Sequence, residues 1–244
     1  LEEAVTRLYA NDLPDRSVAI TFDDGNSDFQ QRAFPLLSEF GFPSTLYLTT
    51  FYSHYNKPIF GIFCEYLLWK GQGETLDLKK IIGRDSQIEL SSTAARQAAF
   101  REIETFVQAQ KLSAEDKTAL AKVLARQLNL DYDALIEKRI MHLLKPEEVT
   151  RLAADGADIQ LHTHRHRTPL DRELFLREIE DNRQSIQAMT SLRPSHFCYP
   201  SGVYDQRFLP WLQEAGIVSA TTCETGFASR SSNQFLLPRF LDSA

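Results

Sequence analysis

The chain has 244 residues, of which 43% are hydrophobic and 25% charged, and its formal net charge is -6. This length can bury a sizeable core, and the acidic balance excludes a protein that holds nucleic acid through a basic face. No apolar run reaches the length of a membrane span, and three scattered cysteines, Cys64, Cys198 and Cys223, exclude a disulfide framework.

The cysteine set leans toward a reducing, cytoplasmic compartment, although the start at Leu1 is compatible with a removed export signal. Nothing in the pattern selects an oligomeric state. Leu1 to Tyr9 reads as a helix, broken at Leu13-Pro14-Asp15. Ser17 to Phe22 is a β-rich run, read as a buried strand, with Asp23-Asp24-Gly25-Asn26 as its loop. Phe29 to Phe40 is a helix ending at Gly41, and Ser44 to Thr50 is the next strand. A β-loop-α-β unit of this kind implies parallel strands and a right-handed crossover.

From about 52 to 145 the alternation stops, and no core strand is expected. Ala95, Ala99, Ile103 and Phe106 recur at helical spacing. Ser113 and Asp116 form a capping-box pattern opening a second helix through Leu128, and Tyr132 to Leu144 reads as a third. The segment is read as a helical insertion after the second strand of a single domain spanning 1–244. The alternation then returns. A helix starts at Pro146 and closes at Gly156. Asp158 to Leu161 is a strand running into His162-Thr163-His164-Arg165-His166. A helix follows over Arg172 to Thr190, then a strand over Ser195 to Tyr199, a helix over Asp205 to Ala215, and strands over Val218 to Thr222 and Phe235 to Phe240. Repeated strand–helix units suggest a barrel or an open wound sheet, with active sites at the C-terminal strand ends.

The unusual residues all follow strands. Half of the six histidines lie within five positions. His162 and His166 flank a tight loop and can reach one ion. With one carboxylate they make a two-histidine, one-carboxylate set with open positions, the pattern of a catalytic rather than a structural site. Asp23 and Asp24 are adjacent carboxylates that repel, and a bound cation offsets that cost. The expected division is Asp24 as ligand and Asp23 as a free general base. Asp-Asp-Gly-Asn also suits an ordinary turn or helix cap, and the three histidines also suit a solvated loop.

Thr21-Phe22-Asp23-Asp24-Gly25, His162-Thr163-His164-Arg165-His166 and Phe197-Cys198-Tyr199-Pro200-Ser201-Gly202 together resemble, in order, the first three motifs of the polysaccharide deacetylases, the NodB-homology or carbohydrate esterase family 4 domain. The resemblance covers about 12–50 and 146–240. It implies a distorted (β/α) barrel of about seven strands around a divalent metal, most often Zn2+, with Co2+ or Ni2+ as alternatives, and an acetylated carbohydrate as substrate. Asp24, His162 and His166 match the metal ligands and Asp23 the catalytic base. Tyr199 matches the residue whose backbone N–H steadies the oxyanion, and Thr163 the hydroxyl that braces the histidine loop. His164 is expected to point away. The third motif lacks the arginine that orients the base in many members, as in the subgroup acting on poly-N-acetylglucosamine and related exopolysaccharides. Arg239 is the candidate to supply that charge. The late Leu-x-x-His motif is absent too, and His54 is the candidate general acid by position, ahead of His142 and His196. Phe51, Tyr52, Tyr55 and Trp211 are candidates to stack on sugar rings. The alternatives are a deacylase of another acyl or amide substrate, a catalytically weak carbohydrate-binding domain that keeps the metal site, and a phosphoesterase. The last is disfavoured because no glycine-rich phosphate cradle is visible.

Overall fold

The computed structural model describes residues 1–54 and 58–242. They fall into two units, Leu1–Asn56 with Leu143–Ala244, and Lys57–His142. The first unit opens with helix α1 (Glu2–Ala10), which ends at the left-handed Asn11. Strand β1 covers only Ile20–Phe22, because Val18 stands 83% exposed and the run before Ile20 does not pair. The helix expected over Phe29 to Phe40 is two pieces: a π-turn over Phe29–Ala33, then α2 (Phe34–Glu39). Pro35 explains the break, since it has no N–H for the preceding turn and its ring crowds the carbonyl four residues back. Strand β2 (Ser44–Leu48) is buried at every position.

The second unit contains α3 (Phe60–Lys70), β3 (Thr75–Asp77), α4 (Leu78–Ile82), β4 (Gln87–Glu89), α5 (Thr93–Ala109), α6 (Ala114–Gln127) and α7 (Tyr132–Glu137). The capping box is present in both halves: Ser113 Oγ accepts from the Asp116 N–H, and the Asp116 carboxylate accepts from the Ser113 N–H. The third helix stops at Glu137 rather than Leu144, because Arg139 and Met141 are left-handed (φ 54 and 55). Helix α3 and the antiparallel pair β3–β4 were not anticipated. Helix α3 is apolar around most of its circumference and shows no stripe, and strands of three residues are too short to show a period. Phe63, Leu67, Leu76, Leu90, Ile103 and Leu124 close a core belonging to this unit.

The chain re-enters the first unit with α8 (Pro146–Ala154), β5 (Asp158–Leu161), α9 (Arg172–Thr190), β6 (His196–Cys198), α10 (Phe208–Glu214) and β7 (Ser219–Thr221). The strands form one parallel sheet in the order β1-β2-β5-β6-β7, five among the described residues where about seven were expected. The anticipated last strand, Phe235 to Phe240, is a single parallel bridge, Thr221 to Leu237. The next donor on that side, the Arg239 N–H, goes to the Glu224 carbonyl, and the pairing stops there. Leu46, Leu48, Ile159, Leu161, Ile179 and Phe197 lie in the core of this unit. Buried on both faces, such strands read as continuous apolar runs, as parallel strands do. The parallel order brings the loops after β1, β2, β5, β6 and β7 to one edge of the sheet.

Candidate active site

Asp24 stands just past β1 in a left-handed conformation (φ 68), and Gly25 follows at φ 87. A side chain at Gly25 would run into Leu48, since a Cβ there would lie 2.3 Å from its Cδ1. This close approach of the loop to β2 turns the Asp24 carboxylate toward the histidine loop after β5. Asp24 Oδ1 lies 3.1 Å from His162 Nε2 and 3.1 Å from His166 Nε2. His162 is 1% exposed at its side chain, whereas His166 and Asp24 keep 20% and 22%. One side of the cluster therefore faces solvent, as a site that admits substrate requires.

The chemistry of the donors fits a cation. His162 Nδ1 lies 2.8 Å from the Cys198 carbonyl oxygen, which can only accept, so Nδ1 carries the proton and Nε2 is left with its lone pair. That lone pair faces a carboxylate oxygen, and something positive must lie between them. Either a proton sits there, toward which Cys198 and Asp24 raise the His162 pKa well above its ordinary value against the opposing effect of burial, or a metal ion does. Two donors each about 2.1 Å from a tetrahedral zinc lie about 3.4 Å apart, close to the spacing seen. The three donor atoms fall within 4.8 Å of one another.

Asp23 turns the other way. Arg239 Nη1 donates to its Oδ1 at 2.8 Å and Nη2 to its Oδ2 at 2.7 Å, a two-point fork. Arg239 is itself fixed, its Nε donating to the Thr222 carbonyl (3.0 Å) and Nη2 to Cys198 Sγ (3.2 Å). Burial pushes the Asp23 carboxyl up, but the Arg239 fork and His162 outweigh it and hold the group below its ordinary range. For Asp24, burial is likewise overcome by the hydrogen bonds to His162 and His166.

Backbone strain gathers at the same place. Thr163, which is β-branched, has φ 60, and His166 has φ 52. Such conformations cost about 1–3 kcal/mol each and persist only where the surroundings dictate them. Thr163 Oγ1 accepts from the Arg167 N–H (3.0 Å), tying the loop across its mouth. His164 does point away, with Nδ1 on Thr50 Oγ1 at 2.8 Å.

Other expected residues stand differently. The Tyr199 N–H is spent on the Thr221 carbonyl at 3.1 Å, continuing the β6–β7 ladder, and its hydroxyl donates to Phe235 O. It has no amide to offer an oxyanion. The next N–H at this rim belongs to Ser201, since Pro200 has none and Gly202 donates to the Tyr199 carbonyl (2.9 Å). Ser201 is exposed and left-handed at φ 55, a signal the sequence does not carry. His54 is exposed in the short turn after β2, and no hydrogen bond or ion pair joins it to Asp24, His162 or His166 among the described residues. His196 is buried between Ser219 and Glu2, away from the cluster, and His142 lies in the second unit. Trp211 packs against Phe175 and Phe208 in the core. Phe51 meets Tyr52 and His164 edge-on, and Tyr55 lies outside the described residues. The aromatic pair Phe227–Phe240, 4.9 Å between ring centres and 86% and 61% exposed, was not singled out from sequence; Phe240 directly follows Arg239.

Residues 10–220 match the family profile described as polysaccharide deacetylase. Among solved structures the chain is similar to the Streptococcus pyogenes deacetylase PplD in complex with acetate, at 16% identity and a TM-score of 0.58, over 98% of this chain and 70% of that one. It is similar to the BpsB deacetylase domain of Bordetella bronchiseptica at 13% identity and 0.56, over 96% and 75%. For IcaB from Ammonifex degensii the values are 15% and 0.55, over 99% and 75%. Likeness at these identities speaks for the fold. No curated protein sequence matches the chain.

Proposed function

This chain belongs to the polysaccharide deacetylase family, and we propose that it is a metal-dependent hydrolase removing acetyl groups, N-acetyl above all, from a polysaccharide or oligosaccharide. One observation carries the reading: Asp24 Oδ1 meets two imidazoles at 3.1 Å beside a second carboxylate, Asp23, that faces an arginine instead. The similar solved proteins PplD and BpsB are deacetylases, which supports it.

Asp24, His162 and His166 would hold a divalent cation, and two imidazoles with one carboxylate suit zinc, with cobalt or nickel as substitutes. Such an ion, when bound, lowers the pKa of a water and polarises the acetyl carbonyl. Asp23 accepts the proton of the attacking water as the water oxygen bonds to the carbonyl carbon. Arg239 keeps Asp23 ionised and aims both of its oxygens. The fork weakens Asp23 as a base and in return guarantees an empty acceptor at neutral pH. The Ser201 N–H takes the oxyanion role that Tyr199 cannot fill. When the C–N bond breaks, Asp23 returns its proton to the departing amine, the same carboxylate acting first as base and then as acid. Phe227 and Phe240 offer apolar faces for a sugar ring next to Arg239, in place of Trp211.

Acetate release from N- and O-acetylated oligosaccharides, with zinc, cobalt or nickel supplied, tests the proposal. Asp23→Asn should abolish release while the metal stays bound. Asp24→Ala or His166→Ala should lose both, and His54→Ala should stay within a few-fold of wild type. Turnover by a metal-free His162→Ala/His166→Ala double variant would overturn the scheme.

A further inference from the structure

Helix α9 contributes two polar side chains to the first unit's interior. Glu178 and Asn182 lie four residues apart on one face of the helix and are 1% and 0% exposed. Asn182 Oδ1 accepts from the His162 N–H (2.9 Å), and its Nδ2 donates to the Leu48 carbonyl (2.9 Å) and Thr50 Oγ1 (3.0 Å). One amide group thus links a proposed metal ligand to the end of β2. Glu178 Oε2 accepts from the Arg165 N–H (2.8 Å), and its Oε1 accepts from Arg167 Nε (2.7 Å) and Arg165 Nη1 (3.2 Å). The Glu178 carbonyl also accepts from the His164 N–H (3.0 Å). The backbone N–H groups of His162, His164 and Arg165 therefore all end on α9, and none of them joins the sheet.

Docking the helix does not need these groups. Phe175, Ile179 and Ile186 are fully buried on α9 and already seat it in the core. A buried carboxylate and amide give less stability than apolar residues of similar size. What they do supply is direction. The loop they hold contains Thr163 and His166 in left-handed conformations, which relax unless the neighbouring amides are pinned.

We propose that Glu178 and Asn182 are positioning residues of the metal centre, fixing the loop conformation that points His162 and His166 at Asp24 and so setting its metal affinity. The inference rests on the metal reading above. Co2+ titrated into the full chain, against a chromophoric chelator and by its visible absorption, reads Kd and ligand geometry apart from activity. Asn182→Ala and Glu178→Gln should each weaken Co2+ binding on the order of 10–100-fold and alter the spectrum. Ile179→Val, a packing control on the same helix, should lower the unfolding midpoint and leave both unchanged. Thr50→Val, a near-isosteric change that removes the hydroxyl bonded to Asn182, should weaken binding by a smaller factor with the fold intact. Wild-type Kd and spectrum in folded Asn182→Ala or Glu178→Gln would overturn the proposal. If neither folds, an unchanged Kd in Thr50→Val overturns it. A wild-type chain that binds no Co2+ would instead remove the metal reading itself.

Discussion

In the proposed mechanism Asp23 is both a base and half of an ion pair, and the two roles pull its proton affinity in opposite directions. Burial alone would raise its pKa, while the Arg239 fork and His162 bring it below the ordinary value of about 4. In Arg239→Met the raising influence of burial loses its main opponent. The acidic limb of the kcat/KM profile should then move to higher pH, and Arg239→Lys, with one contact in place of two, should fall between. An unchanged limb would mean that Arg239 does not set the state of the base. The sign for stability follows the same shift. A carboxyl with a depressed folded pKa contributes stability that is complete above its unfolded pKa and is lost as pH falls through the folded one. Much of this centre is legible in the sequence because Asp23-Asp24 and His162-x-x-x-His166 are local patterns at strand ends. The fork joins residues 216 positions apart, so sequence nominates Arg239 without proving contact. The Tyr199 amide could not be judged from sequence, because its partner Thr221 lies on another strand.

Helix α9 shows what a complete local code achieves. Its bounds, Arg172–Thr190, are those read from the sequence, because Asp171 caps it, with Oδ1 on the Leu174 N–H at 2.9 Å, and Ser191 closes it left-handed. Asp171→Ala should cost about 1 kcal/mol, and Ile179→Ala, at a site with no exposure, about 2–5 kcal/mol. Urea unfolding would check both. Helix α2 lost its first turns to a π-turn because the apolar pattern continues through Pro35 while the hydrogen-bond ladder does not. Helix α7 ended early because two left-handed residues follow it, and neither Arg139 nor Met141 is a residue type that announces this. Where an apolar period was present it foretold an element, and backbone exceptions decided where that element stops.

At the scale of the whole molecule, the site belongs to one of two units, each with its own core. No helix among the described residues is long and apolar enough to cross a membrane. A ligand that binds only the folded form stabilises it by mass action, so zinc at 100 times its Kd should add about 2.7 kcal/mol. Thermal unfolding should show this gain in the wild type and not in Asp24→Ala. The guanidinium that steadies Asp23 arrives from residue 239, past the exposed stretch Phe227 to Ser231, whereas the three proposed ligands lie at 24, 162 and 166. A change confined to Arg239 would therefore divide possession from use: the altered protein would keep its ion and turn over slowly, an idle captor made from a working catalyst by the loss of one guanidinium.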